Sequence, residues 1–120
     1  MSRTAFLLAT AILLGVAGAA HAHAFLDRAT PAVGSAVHGS PPAIALHFSE
    51  ELEAAFSTVR VEDTSGRRVD SGSAHVDPAD ASVLEVSLPS LPPGRYHVVW
   101  RVVSVDTHVT EGAYAFDVLP

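Results

Sequence analysis

The run RYHVVWRVVSV, from Arg95 to Val105, is the longest alternating segment of the chain and decides how the rest is read. Its even positions Tyr96, Val98, Trp100 and Val102 form one apolar row, the period-two signature of a strand. The odd positions carry His97 and Arg101 but also Val99, Val103 and Val105, and a strand apolar on both sides belongs in the middle of a sheet. Continued past the run, the even row becomes Ser104, Asp106 and His108, so its character changes from apolar to polar. The strand is expected to leave the core there and deliver Asp106 and His108 to a rim. In extended chain these two residues, two apart, share a face.

Shorter runs on either side alternate in the same way: Ile44, Leu46 and Phe48; Val59 and Val61; Leu84, Val86 and Leu88; Tyr114, Phe116 and Val118. Turn residues separate them, in the Pro- and Gly-bearing stretch from Pro31 to Pro42, at Thr64-Ser65-Gly66, at Asp77-Pro78 and at Pro92-Pro93-Gly94. Only Glu50 to Phe56 (EELEAAF) has the composition for a helical turn. About seven short strands with frequent turns predict an all-β fold, a Greek-key β-sandwich or barrel.

The N-terminus has a different character. Arg3 is followed by an almost wholly apolar stretch from Ala5 to Ala20, then by Ala20-His21-Ala22, small residues at −3 and −1 of a cleavage site. The stretch is short for a bilayer span, which takes ~20 apolar residues. Residues 1–22 are read as a secretory signal peptide, and 23–120 as one exported domain without membrane insertion after cleavage. The chain has no Lys or Cys, and its net charge of −6 becomes −7 once Arg3 is removed. An acidic chain without a basic patch argues against nucleic acid. Met1 is the only Met and leaves with the signal, so the exported domain offers a metal no sulfur.

What it does offer begins at His23. Cleavage after Ala22 gives this residue a free α-amine beside its own imidazole, two nitrogens that close a six-membered chelate ring. The amine titrates at ~7.7–8.0, so a metal displaces its proton readily near neutral pH. Asp106 and His108 add a second imidazole and a carboxylate. An amine and two imidazoles with a loose oxygen suit tetragonal copper(II), whereas copper(I) prefers the missing sulfur. One copper(II) per chain is expected.

Several segments together resemble the CopC family of bacterial exported copper-binding proteins. They are His23-Ala24-Phe25-Leu26, Ala29-Thr30-Pro31-Ala32 with Gly34-Ser35, Leu46-His47-Phe48-Ser49-Glu50, Gly94-Arg95-Tyr96, Val99 to Ser104, and Asp106-Thr107-His108 with Gly112 and Phe116. The resemblance implies an immunoglobulin- or cupredoxin-like Greek-key sandwich in the periplasm, with copper(II) held by His23, Asp106 and His108. It makes Glu50 a candidate weak ligand or support for the ligands. It also implies a role in copper resistance or homeostasis as a carrier or buffer, with an inner-membrane transporter of CopD type as partner. Some members carry a Met-rich copper(I) segment. Here Ser57 to Ala81 has no Met, and His75 stands alone in it, so only the copper(II) site is expected. His38, His75 and His97 read as solvent-facing, and Tyr96 and Trp100 as core aromatics.

Two other readings compete with a non-catalytic carrier. An N-terminal His with a second His also describes the copper brace of oxidative polysaccharide-cleaving enzymes. Against that, a domain of 98 residues leaves little room for a broad glycan-binding face, and a carboxylate beside the metal favours copper(II) over its reduction. A metal-free adhesion-like sandwich would leave the His23 and Asp106/His108 pattern without a use.

Overall fold

A computed structural model describes residues 24–120, which form two four-stranded sheets packed face to face. The eight strands are β1 (Leu26–Thr30), β2 (Ala36–His38), β3 (Ala43–Phe48), β4 (Thr58–Glu62), β5 (His75–Asp77), β6 (Asp80–Ser87), β7 (Gly94–Val103) and β8 (Val109–Leu119). One sheet has the order β1-β3-β6-β5 and the other β2-β8-β7-β4, so the chain crosses repeatedly between layers, as Greek-key connections require. All pairings are antiparallel except β2 with β8. The expected signal peptide, residues 1–22, and His23 lie outside the described residues. Within them, no helix is long and apolar enough to cross a membrane.

Alternation fixes which face each strand buries. Ile44, Leu46 and Phe48 of β3 point inward, Ile44 opposite Val86 and Leu46 opposite Leu84 of β6, and Phe48 opposite Leu26 of β1. From the facing sheet come Val59 and Val61 of β4, Tyr96, Val98 and Val102 of β7, and Tyr114, Phe116 and Val118 of β8. As its two-sided apolar pattern predicts, β7 is an inner strand, with β4 on one side and β8 on the other. Both core tyrosines keep their hydroxyls satisfied at the edge of this interior. Tyr96 donates to the Pro92 carbonyl at 2.6 Å and Tyr114 to that of Pro31 at 2.9 Å. Burial pushes the Tyr114 phenol above the ordinary tyrosine range.

Three expectations are adjusted. The strand count is eight, because β2 and β5 are three residues each, too short to show a periodicity. The helical composition of Glu50 to Phe56 produces one 3-10 turn, Ala54–Phe56, with no buried residue to anchor a longer helix. Trp100 is half-buried rather than fully in the core. Its ring meets Phe48 edge-on at 6.2 Å and Tyr114 at 6.2 Å, and it lies against the backbone of Gly112, its cross-strand partner.

That last contact explains the glycine. A Cβ at position 112 would stand 2.2 Å from the indole Cζ2 and 2.8 Å from two further ring atoms. Gly112→Ala is therefore expected to destabilise the domain by about 1–3 kcal/mol, the usual cost of overpacking. At ~4–8 °C per kcal/mol for a domain of this size, the melting temperature should fall by on the order of 10 °C. Thermal unfolding followed by near-ultraviolet circular dichroism checks this. Partial recovery in Gly112→Ala/Trp100→Phe identifies the clash as the cause, and an unchanged single variant refutes it.

Candidate metal centre

Three segments converge at the end of the sandwich where β7 runs out. The first is Ala24-Phe25, just before β1; the second is Ser49 to Glu53, just after β3; the third is Ser104 to Thr110, which joins β7 to β8. Backbone bonds tie them together. The Glu53 N–H donates to the Val103 carbonyl at 2.8 Å, and Val105 N–H to that of Glu51 at 3.1 Å. Ser49 N–H donates to the Phe25 carbonyl at 2.8 Å, while Phe25 N–H donates to the Ser49 hydroxyl at 2.9 Å. Finally, the Thr110 hydroxyl donates to the carbonyl of Ala24 at 2.8 Å, and Ala24 is only 1% exposed.

Asp106 and His108 are brought together here, although not by the extended chain that their spacing suggested. The strand stops at Val103, and a turn follows, closed by Thr107 N–H donating to the Ser104 carbonyl at 2.8 Å. Thr107 adopts φ 72°, the left-handed region, which a β-branched residue enters at a cost of roughly 1–2 kcal/mol. Such strain persists where the surroundings enforce it, and functional sites are where it gathers. The turn folds the His108 ring back so that its Nδ1 lies 3.3 Å from Asp106 Oδ2, with both side chains about two-fifths exposed to solvent at 43% and 38%.

Ser104 organises the pair. It is fully buried, yet its hydroxyl bonds Asp106 Oδ1 and its backbone N–H donates to the His108 carbonyl at 2.9 Å. The Ser104 hydroxyl, and to a lesser degree His108, hold the Asp106 carboxyl below the usual carboxylate range. The carboxylate is therefore anionic across the physiological range. The sequence marked Ser104 only as the place where the strand turns polar; a serine at the first polar position after an apolar row was the available signal.

Glu50 is half-buried on the same rim, between Ser49, which pairs with Phe25, and Glu51, which pairs with Val105. Among the described residues no three His, Asp or Glu side chains gather into one cluster. Asp106 and His108 form a pair, and the third proposed donor residue, His23, is joined by one peptide bond to the anchored Ala24. His47 points outward from β3 with its Nδ1 3.4 Å from an Arg28 guanidinium nitrogen, and His38 and His97 are exposed on other parts of the sandwich.

The surface around the pair combines apolar and acidic groups. Phe25 is 60% exposed, Val105 50% and Val109 45%, so three of the five large apolar side chains exposed in the described residues belong to these converging segments, and Phe56, at 64%, lies three residues past the second. Glu50, Glu51 and Glu53 lie between them in sequence, and no Lys or Arg occurs in any of the three segments.

Asp106 and His108 thus form a donor pair on the rim of a small two-sheet domain, at the end where the Ala24-Phe25 segment is anchored. The chain belongs to the CopC domain family, whose model matches residues 26–119. It is 41% identical over 98 residues to Protein YobA of Escherichia coli strain K12, covering 81% of this chain and 79% of that one. It is 38% identical over 119 residues to Copper resistance protein C of Escherichia coli, covering 93% and 94%. Among solved structures, CopC from Methylosinus trichosporium OB3b superposes with a TM-score of 0.76 at 34% identity, over 82% of this chain and 95% of that one.

Proposed function

We propose that the exported domain, cut after Ala22, binds one copper(II) in the periplasm through His23, Asp106 and His108. It acts there in copper resistance or homeostasis as a carrier or buffer. The observation that carries this reading is the joint placement of Asp106 and His108 at the end where the chain's N-terminal segment is clamped. The donor set fits copper(II): two imidazoles, an amine and an anionic oxygen are borderline-to-hard ligands, and no sulfur is present. Glu50, half-buried on the same rim, is assigned as a weak ligand or a support for the ligands. That a relative of nearly equal length is named a copper resistance protein agrees with the reading.

Hand-off to an inner-membrane transporter of CopD type is supported by exposed Phe25, Val105 and Val109 on the segments that converge at this end of the sandwich. Apolar area surrounding an exchangeable ion is what a transient docking face needs. Two relatives, of Escherichia coli and Pseudomonas syringae, are named copper resistance proteins rather than for a reaction, and the site is read as non-catalytic.

Electron spin resonance titration of the exported protein tests this reading. The signal of the tightly bound ion should saturate at one equivalent with nitrogen-dominated equatorial ligation, and ascorbate should release the metal, because no thioether or thiolate remains to hold copper(I). Failure to bind tightly, or retention of copper(I) against a moderate chelator, overturns it.

Metal should add stability without being needed for folding. The core from Ile44, Leu46, Leu84, Val98 and Phe116 is complete at less than 2% exposure with no contribution from the ligand pair. Metal-free protein is expected to melt cooperatively, and copper(II) at ~100 times its dissociation constant should add ~2.7 kcal/mol by linkage. Calorimetry of metal-free and loaded samples measures both, and a non-cooperative metal-free melt counts against the expectation.

A further inference from the structure

A second pair of donors lies on the outer face of the other sheet. His75, on the edge strand β5, stands directly opposite Glu85 of β6. The imidazole Nδ1 lies 2.9 Å from the Ser73 carbonyl oxygen. A carbonyl only accepts, so Nδ1 carries the hydrogen, and that fixes the tautomer of the neutral ring. The lone pair then belongs to Nε2, which faces Glu85 Oε2 at 3.5 Å. Two electron-pair donors facing each other at this range can share a cation.

The separation suits a metal ion better than a shared hydrogen. A charge-assisted N–H···O bond is typically about 2.7–2.9 Å long, well short of what is seen. Two donors bound about 2.0–2.2 Å from one zinc ion at a tetrahedral angle stand roughly 3.3–3.6 Å apart. The Nδ1–H to carbonyl bond is also the arrangement by which metal-ligating histidines are held in orientation. At 51% and 33% exposure the two side chains are open to an ion and leave room for water to complete its shell.

We propose that His75 and Glu85 form a second, weaker binding site for a borderline divalent ion, zinc(II) or an additional copper(II). Imidazole and carboxylate suit both ions. The site is separate from the Asp106/His108 pair. Leu52, whose bridge partner is Ser104, donates to the Ala81 carbonyl at the start of β6, and Glu85 lies four residues further along that strand, about 13 Å away. His47 offers a contrast, because an arginine rather than a carboxylate faces its Nδ1.

Nuclear magnetic resonance of the exported protein titrated with zinc(II), and separately with a second equivalent of copper(II), tests the site. Zinc should shift the His75 imidazole and Glu85 amide signals, and the second copper equivalent should broaden them. These effects should persist in His108→Ala, which separates this site from the one proposed above. They should vanish in His75→Ala and weaken by about tenfold or more in Glu85→Gln. Unperturbed His75 and Glu85 signals overturn the proposal. So does equal affinity in Glu85→Gln, which would mark an ordinary surface histidine. A Glu85→Gln change that moves only the proton titration of His75, with no response to either metal, assigns the cation as a proton and overturns it too.

Discussion

His108→Ala is expected to weaken copper(II) binding by at least about a hundredfold while leaving the fold intact. The imidazole is the only nitrogen donor that the described part of the proposed centre supplies, and its loss leaves Asp106 as a lone oxygen. Even residues that merely orient metal ligands cost about 10–100-fold in affinity when removed, so a ligand itself should cost at least as much. Its side chain is 43% exposed, and the backbone bonds that close the turn do not depend on the ring, so the melting temperature of metal-free protein should stay close to that of the parent. His97→Ala, on the outer face of β7, is the control and should bind copper normally. Competition against a chelator of known affinity, read by electron spin resonance, measures both. An unchanged His108→Ala constant removes His108 from the ligand set.

One glycine added before His23 is expected to abolish tight binding. The change alters no side chain. It converts the α-amine of His23 into an amide nitrogen and moves the charged terminus one residue away, breaking the six-membered chelate. The signal region also allows cleavage after Ala20, with Gly18 and Ala20 at −3 and −1. That product would begin His21-Ala22-His23 and could bind copper(II) through its amine, two backbone amides and the third-position imidazole, without Asp106 or His108. The two products make opposite forecasts. Intact mass of the exported protein identifies the terminus, and copper titration of the glycine-extended chain tests the chelate. A mass beginning at His21, or undiminished affinity in the extended chain, sinks the His23 assignment.

The strand assignments were legible wherever alternation ran for several residues. The reading of Arg95 to Val105 as an inner strand followed from valines on both of its sides, and β7 occupies that place. Strands of three residues carry no such signal: β2 and β5 exist because β8 and β6 offer them ladders, which is a tertiary fact. At the site, spacing identified Asp106 and His108 as companions for the wrong geometric reason. A shared strand face and a turn through a left-handed Thr107 both bring residues two apart together, and only the backbone distinguishes them. The Ser104 hydroxyl, the Thr110 bond to Ala24 and the fit of Trp100 over Gly112 each join parts of the chain whose partnership is set by register. No local pattern announced them.

The Thr110 bond has a consequence for how strongly a chain end can serve as a ligand. A free terminus is normally a poor donor, because many conformations must be given up when it binds. With the Ala24 carbonyl held by Thr110 and Phe25 pinned on both its N–H and carbonyl by Ser49, the ordered backbone reaches to within one residue of the proposed terminal amine. Little freedom then remains to be lost, and the effective concentration of that amine near His108 is set by a tether of one residue. In the proposed centre, grip on the ion is thereby governed in part by a threonine hydroxyl outside the ligand set, and loosening that hydroxyl would speed the metal's departure without altering a single proposed ligand.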